Sequence, residues 1–96
     1  MHSLTGFQRD LLSVITCLSE PNGQEVKAEL QESQDRSVGN ARLYANLDTL
    51  VDERYVDKRM RDGRTNSYTL TEKGRREVQK RFAWEERRLS AKREAT

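Results

Sequence analysis

One dipeptide, Asp62-Gly63, divides two β-prone runs, YVDKRM over residues 55–60 and TNSYTLT over residues 65–71. Asp-Gly between such runs is a strong short-range signal for a β-hairpin. The other segments with regular apolar spacing have the period of a helix, so the hairpin interrupts a mainly helical chain. A two-residue loop would pair Val56 with Thr69 and put Val56 and Leu70 on opposite faces. A three- or five-residue loop lets Val56 share a face with Leu70 or Tyr68. The odd-length loop is expected, because a thin domain must bury its few apolar residues together.

The apolar supply is small. Leu, Ile, Val and Phe account for 19 of 96 residues, and 35% of the chain is charged. That share borders the disordered range. A net charge of only +2 and the regular spacing argue for folding. The chain has the size of one small domain with a thin core, which predicts help from a partner, most simply a second copy.

Four helices are expected. Phe7, Leu11, Val14, Ile15 and Leu18 share one face of a helix over Thr5 to Leu18. Glu20-Pro21-Asn22-Gly23 reads as a turn. Val26 and Leu30 mark a short second helix through about Glu32. Ser37 is a candidate N-cap for a third, Gly39 to Glu53, with Leu43, Leu47, Leu50 and Val51 facing inward. After the hairpin, Thr71 caps a last helix that opens with Glu72 and runs to about Ala91, roughly 30 Å. Its stripe, Val78, Phe82 and Leu89 with Trp84 to one side, is narrow. Such a helix wants a partner helix.

Three helices, a hairpin and a long helix make an α+β, mainly α, plan, that of a winged helix-turn-helix. In that plan the third helix enters a DNA major groove and the wing reaches the backbone or minor groove. Asn40, Arg42, Ala45, Asn46 and Thr49 lie outward on the third helix. Arg bonds bidentately to guanine and Asn to adenine, and Tyr44 at the margin can reach a phosphate. The acids Asp48, Asp52 and Glu53 sit in the helix's other half. Arg59, Arg61, Arg64 and Asn66 surround the hairpin tip, suited to phosphates or the minor groove. The competing explanations are an ordinary polar helix face and charged protection of a strand edge; the latter accounts for Lys58 better than for the arginines. With Ser37, these residues are the candidate DNA contacts. Residues 1–53 carry 4 basic and 9 acidic residues, whereas residues 54–96 carry 14 and 7, a basic half suited to a polyanion.

Other classes find no support. The run LLSVITCL is too short for a membrane span of about 20 residues, and no secretory signal is visible. One cysteine and one histidine, Cys17 and His2, form no zinc site or catalytic triad. Cys17 is expected as a buried structural thiol beside the first helix's stripe. No cofactor, metal or catalysis is expected.

The segments RLYANLDTLVDERYVDK, RTNSYTLTEKGRRE and LTGFQRDLLSVI resemble the PadR family of transcriptional regulators, in particular its short haloarchaeal type. Tyr68, Leu70, Thr71 and Gly74 match the second wing strand and the start of the last helix. The resemblance covers roughly residues 4–85. It implies a homodimer, built through the last helix on the partner's first helix, that binds a pseudo-palindromic operator with Tyr44 on the backbone. Two positions depart from the family pattern. Ala45 stands where the family often has Pro. Arg54 stands where it often has Gly, so Arg54 is expected to take a conformation that suits glycine.

The combined expectation is a DNA-binding domain over residues 1–71 and a dimerisation helix and tail over 72–96. Phe7, Leu11, Val78, Phe82, Trp84 and Leu89 are expected at the dimer interface. The protein would be a homodimeric repressor, or less often an activator, on double-stranded DNA in the prokaryotic cytoplasm, at the nucleoid. A small-molecule effector near Trp84 is compatible with the sequence but not indicated by it. The rival readings are a protein-interaction module built on a degenerate winged helix, and RNA binding, against which the hairpin's lack of exposed aromatics counts.

Overall fold

A computed structural model describes residues 4–35, 37–60, 63 and 65–94. Its elements run α1 (Gly6–Cys17), α2 (Gly23–Gln34), α3 (Asn40–Asp52), β1 (Val56–Met60), β2 (Asn66–Leu70) and α4 (Glu72–Glu94).

Each helix start has a local cause. Thr5 and Gln8 form a capping box on α1, each side chain accepting the other's backbone N–H at 3.1 Å. Asn22 and Glu25 do the same for α2 at 2.8 Å. The expected turn therefore ends in a cap, and α2 is longer than the Val26–Leu30 pattern suggested. Ser37 is not the cap of α3. Gly39 holds that position, its carbonyl accepting the Leu43 N–H at 3.0 Å. Val38 is drawn into the core and its N–H donates to Gln31 Oε1 at 2.9 Å, which leaves Ser37 exposed and two residues too early.

Leu43, Leu47 and Leu50 lie along one side of α3 and are fully buried. Burying a leucine is worth about 1.5–3 kcal/mol, more than a typical net hydrogen bond of about 1 kcal/mol. Apolar packing therefore fixes which face of α3 looks outward. The core they join includes Leu11, Leu12 and Ile15 of α1, Val26 and Leu30 of α2, and Val56 and Tyr68 of the wing. Two expected interface residues belong to this core. Leu11 is fully buried and Phe7 nearly so, which leaves them no free surface to offer a partner. Cys17, expected buried, is exposed at the last residue of α1, off the stripe that Leu11 and Ile15 define.

The hairpin pairs Val56 with Leu70 and Met60 with Asn66, so five residues, an odd number, separate the paired strands in sequence. Val56 and Tyr68 are both buried, as the thin core demands. The far side of β2 pairs with the turn before α2. Asn22 bridges Ser67, and the Tyr68 N–H donates to the buried Pro21 carbonyl at 2.9 Å.

Between α3 and β1, Arg54 adopts φ 66°, the left-handed conformation that suits glycine, as expected. Thr71 then ties this corner to α4. Its Oγ1 accepts the Gly74 N–H at 3.0 Å and donates to the Arg54 carbonyl at 2.6 Å. Gly74 lets α4 approach so closely that a Cβ there would overlap the Tyr55 carbonyl oxygen. Further along α4, Arg81 Nη1 pairs with Asp10 of α1 at 3.1 Å, and Gln34 of α2 donates to the same carboxylate at 2.6 Å. Past this clamp residues 82–91 of α4 are exposed, and the molecule measures 54 × 29 × 25 Å. Among the described residues, no helix is long and apolar enough to cross a membrane.

Candidate nucleic-acid interface

The leucine stripe of α3 leaves Asn40, Arg42, Ala45 and Asp48 exposed, with Tyr44, Asn46 and Thr49 half-buried at its margins. The outward residues are not equivalent. The Arg42 guanidinium carbon lies 4.0 Å from the centroid of the Phe7 ring. Asn46 is engaged at both ends of its amide. Its Oδ1 accepts from Gln8 Nε2 at 3.1 Å and its Nδ2 donates to the Arg42 carbonyl at 2.8 Å. Thr49 Oγ1 donates to the Ala45 carbonyl at 3.0 Å. Asn46 is thus tied to α1 and Thr49 to its own helix, both half-buried, whereas Arg42 and Asn40 are exposed.

The N-terminal ends of α2 and α3 meet in a polar cluster. Gln24 Nε2 donates to the Tyr44 hydroxyl at 3.0 Å, and Lys27 Nζ donates to Asn40 Oδ1 at 2.8 Å. The Tyr44 ring lies against Gly23, where any Cβ would collide with it. Gln24 and Lys27 are not among the contacts expected from sequence. Their signal is faint: they sit at i and i+3, off the Val26–Leu30 stripe, on a helix whose other charged residues, Glu25, Glu29 and Glu32, are acidic.

The wing root stands beside this cluster. Asn22, Gly23, Gln24, Tyr44, Thr65, Asn66 and Tyr68 line one polar cleft between the helices and β2. Burial pushes the Tyr68 phenol above its ordinary pKa, with Asp48 and then Tyr44 adding to the shift. Arg59, Met60 and Asn66 are exposed on the strands. Lys58 reaches back to Asp48 at 3.8 Å, an ion pair that joins the wing to α3 and offsets one acid on that helix. Arg61 and Arg64 lie outside the described residues.

At the other end, Phe82, Trp84 and Leu89 of α4 are 65%, 52% and 54% exposed. Val78 is half-buried against the core. Phe82 overhangs a groove whose walls include Ser13, Val14, Cys17 and Leu30. Trp84 faces a second groove with Gly6, Arg9 and Lys80, and the Arg88 guanidinium carbon lies 4.8 Å from its ring centroid. Among the described residues, no group of His, Cys, Asp and Glu could hold a metal ion.

A family model described as the transcriptional regulator PadR-like family matches residues 11–80. The structure of RosR from H. salinarum is similar, with 38% identity and a TM-score of 0.80, covering 86% of this chain and 74% of that one. The complex structure of hsRosR-SG has 37% identity and a TM-score of 0.84, covering 91% of this chain and 77% of that one. F93 from STIV, a winged-helix DNA-binding protein, has 18% identity and a TM-score of 0.73, covering 86% of this chain and 90% of that one; it shares the fold. No curated protein matches the chain.

Proposed function

The chain belongs to the PadR-like family of transcriptional regulators, and from that membership we propose that it is a sequence-specific DNA-binding repressor, acting as a homodimer on a pseudo-palindromic operator. The observation that carries this reading is the shared cleft. The ends of α2 and α3 and the root of the wing open onto one side of the molecule through Gln24, Tyr44 and Asn66. A major groove takes one helix. Here that helix is α3, with its leucines turned inward.

In this reading Arg42 and Asn40 face base edges. Tyr44, with Gln24 and Lys27 behind it, holds a phosphate, and Ser37 lies near the same strand. Arg59, Arg61, Arg64 and Asn66 follow the backbone or the minor groove. Asn46 and Thr49 support α3 from its flank. Residues 1–71 form the DNA-binding unit, and 72–96 the dimerisation helix and tail. Phe82 and Leu89, one stripe with Val78, pack on the partner with Trp84 beside them. Two-fold symmetry then sets two copies of α3 about 34–36 Å apart. Occupancy of the operator excludes other proteins from it, which is the simplest route to repression, at the nucleoid in the cytoplasm.

Fluorescence anisotropy on duplexes tiled across the gene's own upstream region tests this. The expected result is tight binding to one tile, two protomers per site, and an affinity that falls steeply with salt. Equal, weak binding to every tile and to a random duplex would contradict it. No binding even at low salt would favour a protein-interaction module.

A further inference from the structure

We propose that Phe7 and Gln8, consecutive residues of α1, are positioning residues that set the pose of Arg42 for base reading. This rests on the assignment of Arg42 to base edges made above. Arg42 is held at both of its ends. Its guanidinium lies over the Phe7 ring, 4.0 Å from the centroid. Its carbonyl accepts the Asn46 amide at 2.8 Å, and Asn46 in turn accepts from Gln8 at 3.1 Å. Gln8 is itself fixed, since its Oε1 accepts the Thr5 N–H in the α1 capping box. A nearly buried glutamine with both amide ends engaged has little freedom.

The geometry suits reading. A guanidinium centred over an aromatic ring makes that contact without engaging its N–H donors as hydrogen-bond donors. Its N–H donors lie in the plane of the group and remain available for a bidentate bond to guanine O6 and N7. A free arginine side chain surrenders much rotamer entropy when it docks. Arg42 surrenders less, because the ring already restrains it. The ring therefore favours discrimination between bases rather than general attraction to phosphate.

The test selects a preferred duplex from a random library and measures affinity for it and for the unselected pool. The quantity read is the ratio of the two affinities. Phe7→Leu keeps an apolar side chain but removes the aromatic face; it is expected to lower the ratio about two- to fivefold with an unchanged salt slope. Phe7→Tyr keeps the face and is expected to keep the ratio. Gln8→Leu is expected to act like Phe7→Leu. In an Arg42→Ala background, Phe7→Leu should have no further effect on the ratio. Melting midpoints of all variants confirm folding. If Arg42→Ala lowers the ratio but Phe7→Leu does not, the positioning role is overturned while the reading of Arg42 stands. If Arg42→Ala weakens both DNAs equally, or if selection enriches no sequence, the reading of Arg42 fails and this role with it.

Discussion

Arg54 carries the chain from α3 into the wing with φ 66°. For a residue with a Cβ, that conformation costs about 1–2 kcal/mol. Its backbone is held on both sides, by the Val51 carbonyl at 3.0 Å and by Thr71 Oγ1 at 2.6 Å, so the strain cannot relax. Glycine would remove the strain but free the unfolded chain, an opposing effect of about 0.5–1 kcal/mol. Arg54→Gly is therefore predicted to raise stability by roughly 0.5–1 kcal/mol, seen as a higher urea midpoint with an unchanged slope; a lower midpoint would refute it. This corner is legible in the sequence through the family resemblance, whose pattern often has glycine there. The partnership of Asn46 is not. Its amide is held by Gln8, 38 residues away in sequence, and no local spacing reports such a contact. Ser37 misleads for a similar reason: the cap of α3 depends on where Val38 is buried, not on which hydroxyl precedes the helix.

At the level of elements, periodicity reveals most of the architecture. Leucines at i, i+4 and i+7 place α3, and the scarcity of apolar residues selects the odd-length hairpin loop. The start of α2 is harder to read, because its capping asparagine sits inside a turn signal. The contact of α4 with the chain behind it also escapes a sequence reading, since it is made by a missing side chain. Gly74 sits in the first turns of α4, where helix propensity alone would favour alanine by about 1 kcal/mol. The Tyr55 carbonyl oxygen occupies the place of its Cβ. Backbone oxygen cannot rotate away, and overpacking costs typically about 1–3 kcal/mol. The two effects have opposite signs, and the tertiary clash is predicted to win. Gly74→Ala should lower stability by about 1–2 kcal/mol net in denaturant titration. A stabilised variant would show that α4 shifts to accommodate the methyl group.

The whole molecule is polarised. The surface proposed to meet DNA lies at α3, the first turn of α2 and the wing. The molecule's exposed apolar residues lie on the projecting part of α4. The charge halves of the sequence hint at this division, although the basic half supplies both the wing and α4. Which residues remain free for a partner is not readable from sequence, because Phe7 and Leu11 share their helical pattern with residues that the chain's own core takes up. Phe82 and Leu89 make few contacts within the protomer, so changing them should separate assembly from folding. Phe82→Glu combined with Leu89→Glu is predicted to give a monomer by sedimentation with native helical dichroism. It should also weaken operator binding at least tenfold, since one half-site must then bind alone. A variant that stays dimeric would remove this stripe from the interface.

In the proposed complex two copies of α3 read one operator. Methylation protection of guanine N7 on the preferred duplex reports this arrangement, because that atom lies in the major groove. Two protected segments are expected, related by two-fold symmetry, with centres about 10–10.5 base pairs apart on one face of the DNA. Both should disappear with Arg42→Ala. Protection of a single segment, or none in a complex that still forms, would contradict it.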